Sequence, residues 1–166
     1  MTEPSRRSEA QGLASEELSQ VRKHRQEKLE VIRERGLEPY PYTYDRTHLA
    51  VEAVSLFDQA EQAEGLDEDG NGDLVSVAGR ITSYRSHGKS AFAHIEDRSG
   101  PVQIYFRKDV LGDEPFEALE LLDLSDWIGV AGLLFRTRTG EVTVRVQDWT
   151  LLSKSLRPLP LGKTET

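Results

Sequence analysis

The 166-residue chain contains no cysteine. That excludes a disulfide framework, a thiol nucleophile and a thiolate metal site. It also lacks a long hydrophobic run. Nothing approaches the roughly 18 apolar residues of a membrane span, and the opening MTEPSRRSEA has no apolar stretch of the secretory kind. These absences predict a cytoplasmic protein with no membrane partner. Positive charge is missing from one long interval. Between Arg46 and Arg80 there is no Lys or Arg, whereas Glu52, Asp58, Glu61, Glu64, Asp67, Glu68, Asp69 and Asp73 all fall there. Those eight acids equal the formal net charge of −8, so the rest of the chain is balanced. An acidic total therefore leaves room for local cationic patches. A hydrophobic content of 37% with 30% charged residues is that of a globular domain with a core.

Residues 1–14 are polar and aperiodic and read as a disordered tail. Ser15 reads as the N-cap of a helix that ends at Arg35 before Gly36, with Leu18, Val21, Leu29 and Ile32 as a narrow apolar stripe. In EPYPYTYDRTH, two prolines and three tyrosines predict an extended segment packed on something else. A short acidic helix over 50–64 and the loop LDEDGNGD complete a helical extension and acidic linker, residues 15–73.

From Leu74 the hydrophobic period becomes two, which is a strand signal. LVSVAGRITSYR, KSAFAHIED and PVQIYFRKD read as three strands. DEPFEALELLDL, about 113–124, reads as a helix with Phe116, Leu119 and Leu122 on one side. DWIGVAGLLFR, the tight turn TRTGE and EVTVRVQDWTLLS supply two more strands. The expected fold is mainly β with helices: residues 74–153 form a five-stranded Greek-key barrel of the OB type, with a helix after strand three and a helical extension in front. Gly79, Gly129 and Gly132 suit the bends of a small closed barrel. Residues 154–166 read as the start of a linker.

In KSAFAHIEDRSGPVQIYF, alternation puts Ala91, Ala93 and Ile95 on one face, with Val102, Ile104 and Phe106. Phe92 then faces outward among His94, Glu96, Gln103, Tyr105 and Arg107. OB barrels bind oligonucleotides on the face of strands two and three, aided by the loops after strands one and four. Here the first loop carries Arg85, His87 and Lys89, and the second carries Arg136 and Arg138. An outward Phe92 can stack a base, and Arg85, Lys89, Arg136 and Arg138 can hold phosphates. A half-covered ring under a loop is the bland alternative.

Other motifs carry less. Asp67-x-Asp69-x-Asn71-Gly72 matches half of a calcium loop, but its twelfth position is Ala78 instead of Glu, and a solvated acidic loop is the better reading. Gly162-Lys163-Thr164 resembles the end of a phosphate loop but has Arg157 where the first Gly belongs. His24, His48, His87 and His94 show no metal-ligand spacing, and no Ser/His/Asp set is visible. No metal or catalytic residue is expected.

GLEPYPYTYDRTH, VSVAGRITSYRSHGKSAFAHIEDRSGPVQIYFRKD, DLSDWIGVAGLLFRTRTGEVTV and LLSKSLRPLP together closely resemble bacterial-type class II lysyl-tRNA synthetases, over about residues 18–161. The matched part is that family's N-terminal anticodon-binding domain. Aspartyl- and asparaginyl-tRNA synthetases share the barrel, but RTRTGE and KSLRPLP resemble the lysyl enzymes. The resemblance implies that Phe92 stacks an anticodon base, Gln103 reads a base edge, Arg80 on strand one donates, and Glu141 after the last turn accepts. It implies a tRNA partner with a uracil-rich lysine anticodon and a homodimeric parent enzyme. That parent, a lysine-tRNA ligase, uses ATP and magnesium in a catalytic domain that should begin just after RPLP. This chain stops at Thr166, so the expectation is either an excised domain, which the polar end LGKTET favours, or a stand-alone homologue, in both cases without cofactor or catalytic activity of its own. The alternative is a general single-stranded nucleic-acid-binding or protein-interaction OB module, which would tolerate changes of the anticodon.

Overall fold

A computed structural model describes residues 3–41 and 43–157, with side chains from Ala14 onward. Gly162-Lys163-Thr164 and most of the expected linker 154–166 lie outside the described residues.

The barrel strands are β1 (Leu74–His87), β2 (Ser90–Asp97), β3 (Gly100–Arg107), β4 (Trp127–Arg136) and β5 (Val142–Ser153). They close in the order β1-β2-β3-β5-β4. All pairings are antiparallel except β3 with β5, where Gln103, Ile104 and Tyr105 run parallel to Thr143, Val144 and Arg145. The period-two pattern explains the closure: Val75, Val77, Ile81, Ile95, Ile104, Phe106, Ile128, Val130, Leu134 and Val144 all point inward and are fully buried. Each such side chain contributes about 1.5–3 kcal/mol by leaving water.

The closest approaches are at Gly129 and Gly132. The Tyr44 ring lies against Gly129, where a Cβ would overlap it, and Tyr44 Oη accepts from Ser76 Oγ at 2.8 Å. That contact packs the proline- and tyrosine-rich segment onto the barrel. At Gly132 the register shifts against β5, and a Cβ would overlap the Arg145 carbonyl oxygen.

α2 (Ala50–Gln62) covers the barrel with Ala50, Ala53 and Phe57. No side chain of its own caps it. The β2–β3 turn does so: Ala50 N donates to Asp97 Oδ2 at 2.8 Å, and Val51 N donates to Ser99 Oγ at 3.1 Å. In the acidic loop, Asp67 accepts from the backbone N–H groups of Asp69 and Asn71 and from the Asn71 side chain.

The helical parts depart from expectation in three ways. α1 runs from Glu3 to Glu34, so residues 3–14 continue the helix and Ser15 is interior. Pro4 is no obstacle, because proline is tolerated in a first turn. Of the expected stripe only Leu29 and Ile32 are buried, while Leu18 and Val21 are exposed. The expected helix over 113–124 is two short pieces, α4 (Asp113–Glu117) and a 3₁₀ turn, Ala118–Leu121, and a separate helical turn, α3 (Lys108–Leu111), precedes them. Gly112, at φ 91°, separates α3 from α4.

α1 is tied to the barrel's exit. Lys154, buried, donates to Asp123 and Asp126 at 2.6 Å each; Lys28 reaches Asp123 at 2.8 Å; and Arg25 donates to the Ser155 carbonyl. The two lysines and two aspartates balance one another's charge, the condition under which buried ions are tolerated.

Candidate nucleic-acid interface

β1 carries a bulge that builds one end of the outer face. Arg80 pairs with Glu96 and Ile81 with Ile95, but Ser83, not Thr82, pairs with His94. Thr82 is therefore the extra residue. Strict alternation from Val75, Val77 and Ile81 would send Ser83 and Arg85 into the core. The bulge returns both to the outer face, beside His94 and Phe92 respectively.

Phe92 is half-buried on this face and is not alone among polar groups. Its cross-strand partner is Tyr105, and the rings stack with centroids 4.4 Å apart and planes 24° from parallel. Tyr105 in turn meets Phe135 of β4 at 6.1 Å and 53°. The Arg145 guanidinium lies 4.3 Å from the Phe135 centroid. Phe92 thus sits at one end of an aromatic row, braced from one side. A braced ring loses little rotamer freedom when a base is laid on it.

Gln103 lies next along β3. It was expected to face outward, and its strand position does, but only 5% of the residue is exposed. Its Oε1 accepts from Thr143 Oγ1 at 2.9 Å, which leaves the amide N–H groups as its free donors. Beside it His94 bridges β1 and the β4–β5 turn: Nδ1 meets Ser83 Oγ at 2.7 Å and Nε2 meets Glu141 Oε1 at 2.7 Å. Glu141 is exposed at the base of the β4–β5 hairpin, and its backbone is pinned by Thr137 N to Glu141 O at 3.0 Å. The β4–β5 hairpin is therefore joined to β2 through one imidazole.

The expected cations divide. Arg85, opposite Phe92, and Lys89, in the β1–β2 turn, are exposed, and so is Arg138 in the β4–β5 turn. None of these three makes a salt bridge among the described residues. Arg136, expected to hold a phosphate, is paired within the chain. Its guanidinium meets Asp58 at 2.8 Å and Glu61 at 3.0 Å, donates to the Gly140 carbonyl at 2.8 Å, and lies 5.5 Å from the Phe57 centroid. The acid-rich helix α2 supplies both carboxylates, so Arg136 fastens the hairpin to α2. Arg80 stands further down β1. It lies 5.4 Å over the Trp127 ring, and its buried Nε has no partner.

His94, Ser83, Phe135 and Arg145 join this face without a role that the sequence alone marks. Alternation already placed His94 and Tyr105 on the face of Phe92. Ser83 was hidden by the bulge, and Phe135 and Arg145 join the row only through the β3–β5 pairing, which has no local signal.

Residues 75–152 match a tRNA anticodon family model described as an OB-fold nucleic acid binding domain. Residues 75–152 belong to that OB-fold nucleic-acid-binding family. The chain is 46% identical over 136 residues to a lysine–tRNA ligase of Enterococcus faecalis, covering 82% of this chain and 27% of that relative. To the lysine–tRNA ligase of Bacillus cytotoxicus it is 45% identical over 145 residues, covering 87% of this chain and 28% of the relative. To that of Thermoanaerobacter pseudethanolicus it is 43% identical over 147 residues, 88% of this chain and 28% of the relative. The chain thus spans less than a third of the length of these relatives and matches their N-terminal portion. It is an anticodon-binding OB domain homologous to the N-terminal region of lysine–tRNA ligases and does not cover their catalytic region. No helix of the described residues is long and apolar enough to cross a membrane.

Proposed function

We propose that this anticodon-binding domain recognises the uracil-rich lysine anticodon of tRNA, as the N-terminal domain of a lysine–tRNA ligase. The observation that carries the reading is the Phe92–Tyr105 stack, flanked on its own face by the Gln103 amide and the Glu141 carboxylate. Uracil presents an N–H between two carbonyls. In this reading Phe92 stacks a base, Gln103 donates to a uracil carbonyl, and Glu141 accepts from the N–H. Arg80 donates to a carbonyl or a phosphate. Arg85, Lys89 and Arg138 hold phosphates, and Arg136 contributes by holding the hairpin. The whole enzyme would attach lysine to its tRNA using ATP and magnesium, in the cytoplasm and as a homodimer.

The test is titration of the chain with lysine anticodon stem-loops carrying single uracil-to-cytosine changes, at fixed salt. A loss of affinity at one or more anticodon positions supports the reading. Equal affinity for every loop would instead favour a general single-strand binder.

A further inference from the structure

We infer that His94 is a positioning residue for base recognition: it orients Glu141 and thereby sets the discrimination between uracil and cytosine. The inference rests on the anticodon reading above and gives a role to a side chain outside that set of contacts. An ionised carboxylate can only accept, so the short contact between His94 Nε2 and Glu141 Oε1 has the imidazole N–H donating. This holds for the neutral Nε2–H tautomer and for the imidazolium alike. With Nε2 donating in the neutral form, Nδ1 accepts from the Ser83 hydroxyl at 2.7 Å. The imidazole is thus fixed at both nitrogens, by β1 on one side and by the β4–β5 hairpin on the other. Charge-assisted hydrogen bonds of this kind are about twice as strong as neutral ones.

The consequence falls on Glu141. It lies at the base of a hairpin and is exposed, and a carboxylate there would otherwise sample several rotamers. His94 engages Oε1, which fixes the carboxylate and leaves Oε2 as the free acceptor. An acceptor in a fixed place distinguishes uracil, which offers an N–H, from cytosine, which has a bare ring nitrogen there. The order Ser83–His94–Glu141 superficially resembles a hydrolytic triad. In such triads, however, the serine meets Nε2 and the acid meets Nδ1, whereas here the two are exchanged. The arrangement positions an acceptor and does not activate a nucleophile.

The experiment compares wild type, His94→Ala, His94→Gln, Ser83→Ala, Glu141→Ala and the double variant His94→Ala/Glu141→Ala. Each is titrated with stem-loops bearing uracil or cytosine at each anticodon position and is melted in parallel. His94→Ala should reduce the uracil preference at the position read by Glu141 by roughly tenfold, the loss of one charge-assisted hydrogen bond. Affinity for the cytosine loop and the salt slope should not change. His94→Gln, which can still donate towards Glu141, should keep most of the preference. Ser83→Ala, which frees only one end of the ring, should lose part of it, and this variant carries the test if His94→Ala melts too early to titrate. Adding His94→Ala to Glu141→Ala should change nothing further. The inference is overturned if His94→Ala weakens uracil and cytosine loops equally, if its effect adds to that of Glu141→Ala, or if it leaves the preference intact. A wild type with no anticodon preference would overturn the underlying reading and this inference with it. A wild-type preference that survives His94→Ala would overturn the inference alone.

Discussion

Phe92 and Tyr105 face each other across β2 and β3 as a stacked pair, 4.4 Å between centroids. Two functions meet in that pair. One ring supports the other, and the supported ring is offered to a base. Phe92→Ala should therefore cost about 1–3 kcal/mol in binding a lysine anticodon stem-loop. It should also cost about 0.5–1.5 kcal/mol in folding, the value of an aromatic pair beyond its area. Tyr105→Phe keeps the stack and should change neither. Titrations and thermal melts of the three proteins separate the two effects; normal binding by Phe92→Ala would remove the stacking role.

The cations of the two loops should behave differently from one another. Arg85→Ala, Lys89→Ala and Arg138→Ala should each lower the salt slope of RNA binding by about 0.7–1 unit, with little change in base preference. Arg136→Ala should leave the slope nearly unchanged, because Asp58 and Glu61 already neutralise this side chain. Its cost should appear as a loss of stability of up to about 1 kcal/mol, as for other partly exposed pairs. The measurement is Kd against salt concentration for each variant.

Asp97 links the barrel to α2, and its effect depends on pH. Burial raises its pKa, but hydrogen bonds from the Ser99 hydroxyl and from the N–H groups of Ala50, Ser99 and Gly100 outweigh burial, so the carboxyl titrates below its ordinary range. A depressed folded pKa means that the stabilisation is present above the unfolded-state value, about 3.9. It is lost as pH falls through the folded value. At pH 7 Asp97→Asn should cost about 1 kcal/mol, as for other lost helix caps. Below about pH 4 the gap between the two melting temperatures should narrow. A gap that widens on acidification would contradict the capping role.

Gly129 and Gly132 should resist substitution for different reasons. Gly129→Ala pushes a methyl group into the Tyr44 ring, and Gly132→Ala pushes one into the Arg145 carbonyl oxygen. Overpacking of this kind costs about 1–3 kcal/mol or more. In urea melts Gly132→Ala should be the worse of the two, because a backbone oxygen in a paired strand cannot swing away as a ring can. A neutral Gly132→Ala would mean that β4 and β5 separate at low cost.

The sequence by itself determined the barrel and its reading face. A period-two pattern from Leu74 to Ser153, interrupted once by a helical stretch, admits few ways to bury Val77, Ile95, Ile104, Val130 and Val144 together. The same alternation put Phe92 and Gln103 on the outer face without any tertiary information. Only the tertiary structure decided what each outer residue meets. No local pattern marks Thr82 as an extra residue, yet that bulge turns Ser83 and Arg85 outward. Arg136 looks in sequence like any loop cation; Asp58 and Glu61, which occupy it, come from a helix more than 70 positions earlier. Gln103 follows an outward register but is covered, because β3 pairs in parallel with β5 and sets Thr143 beside it. Alternation is a property of one strand and can be read along it. Burial, ion pairing and the choice of hydrogen-bond partner depend on which distant strands and helices the closing barrel brings alongside.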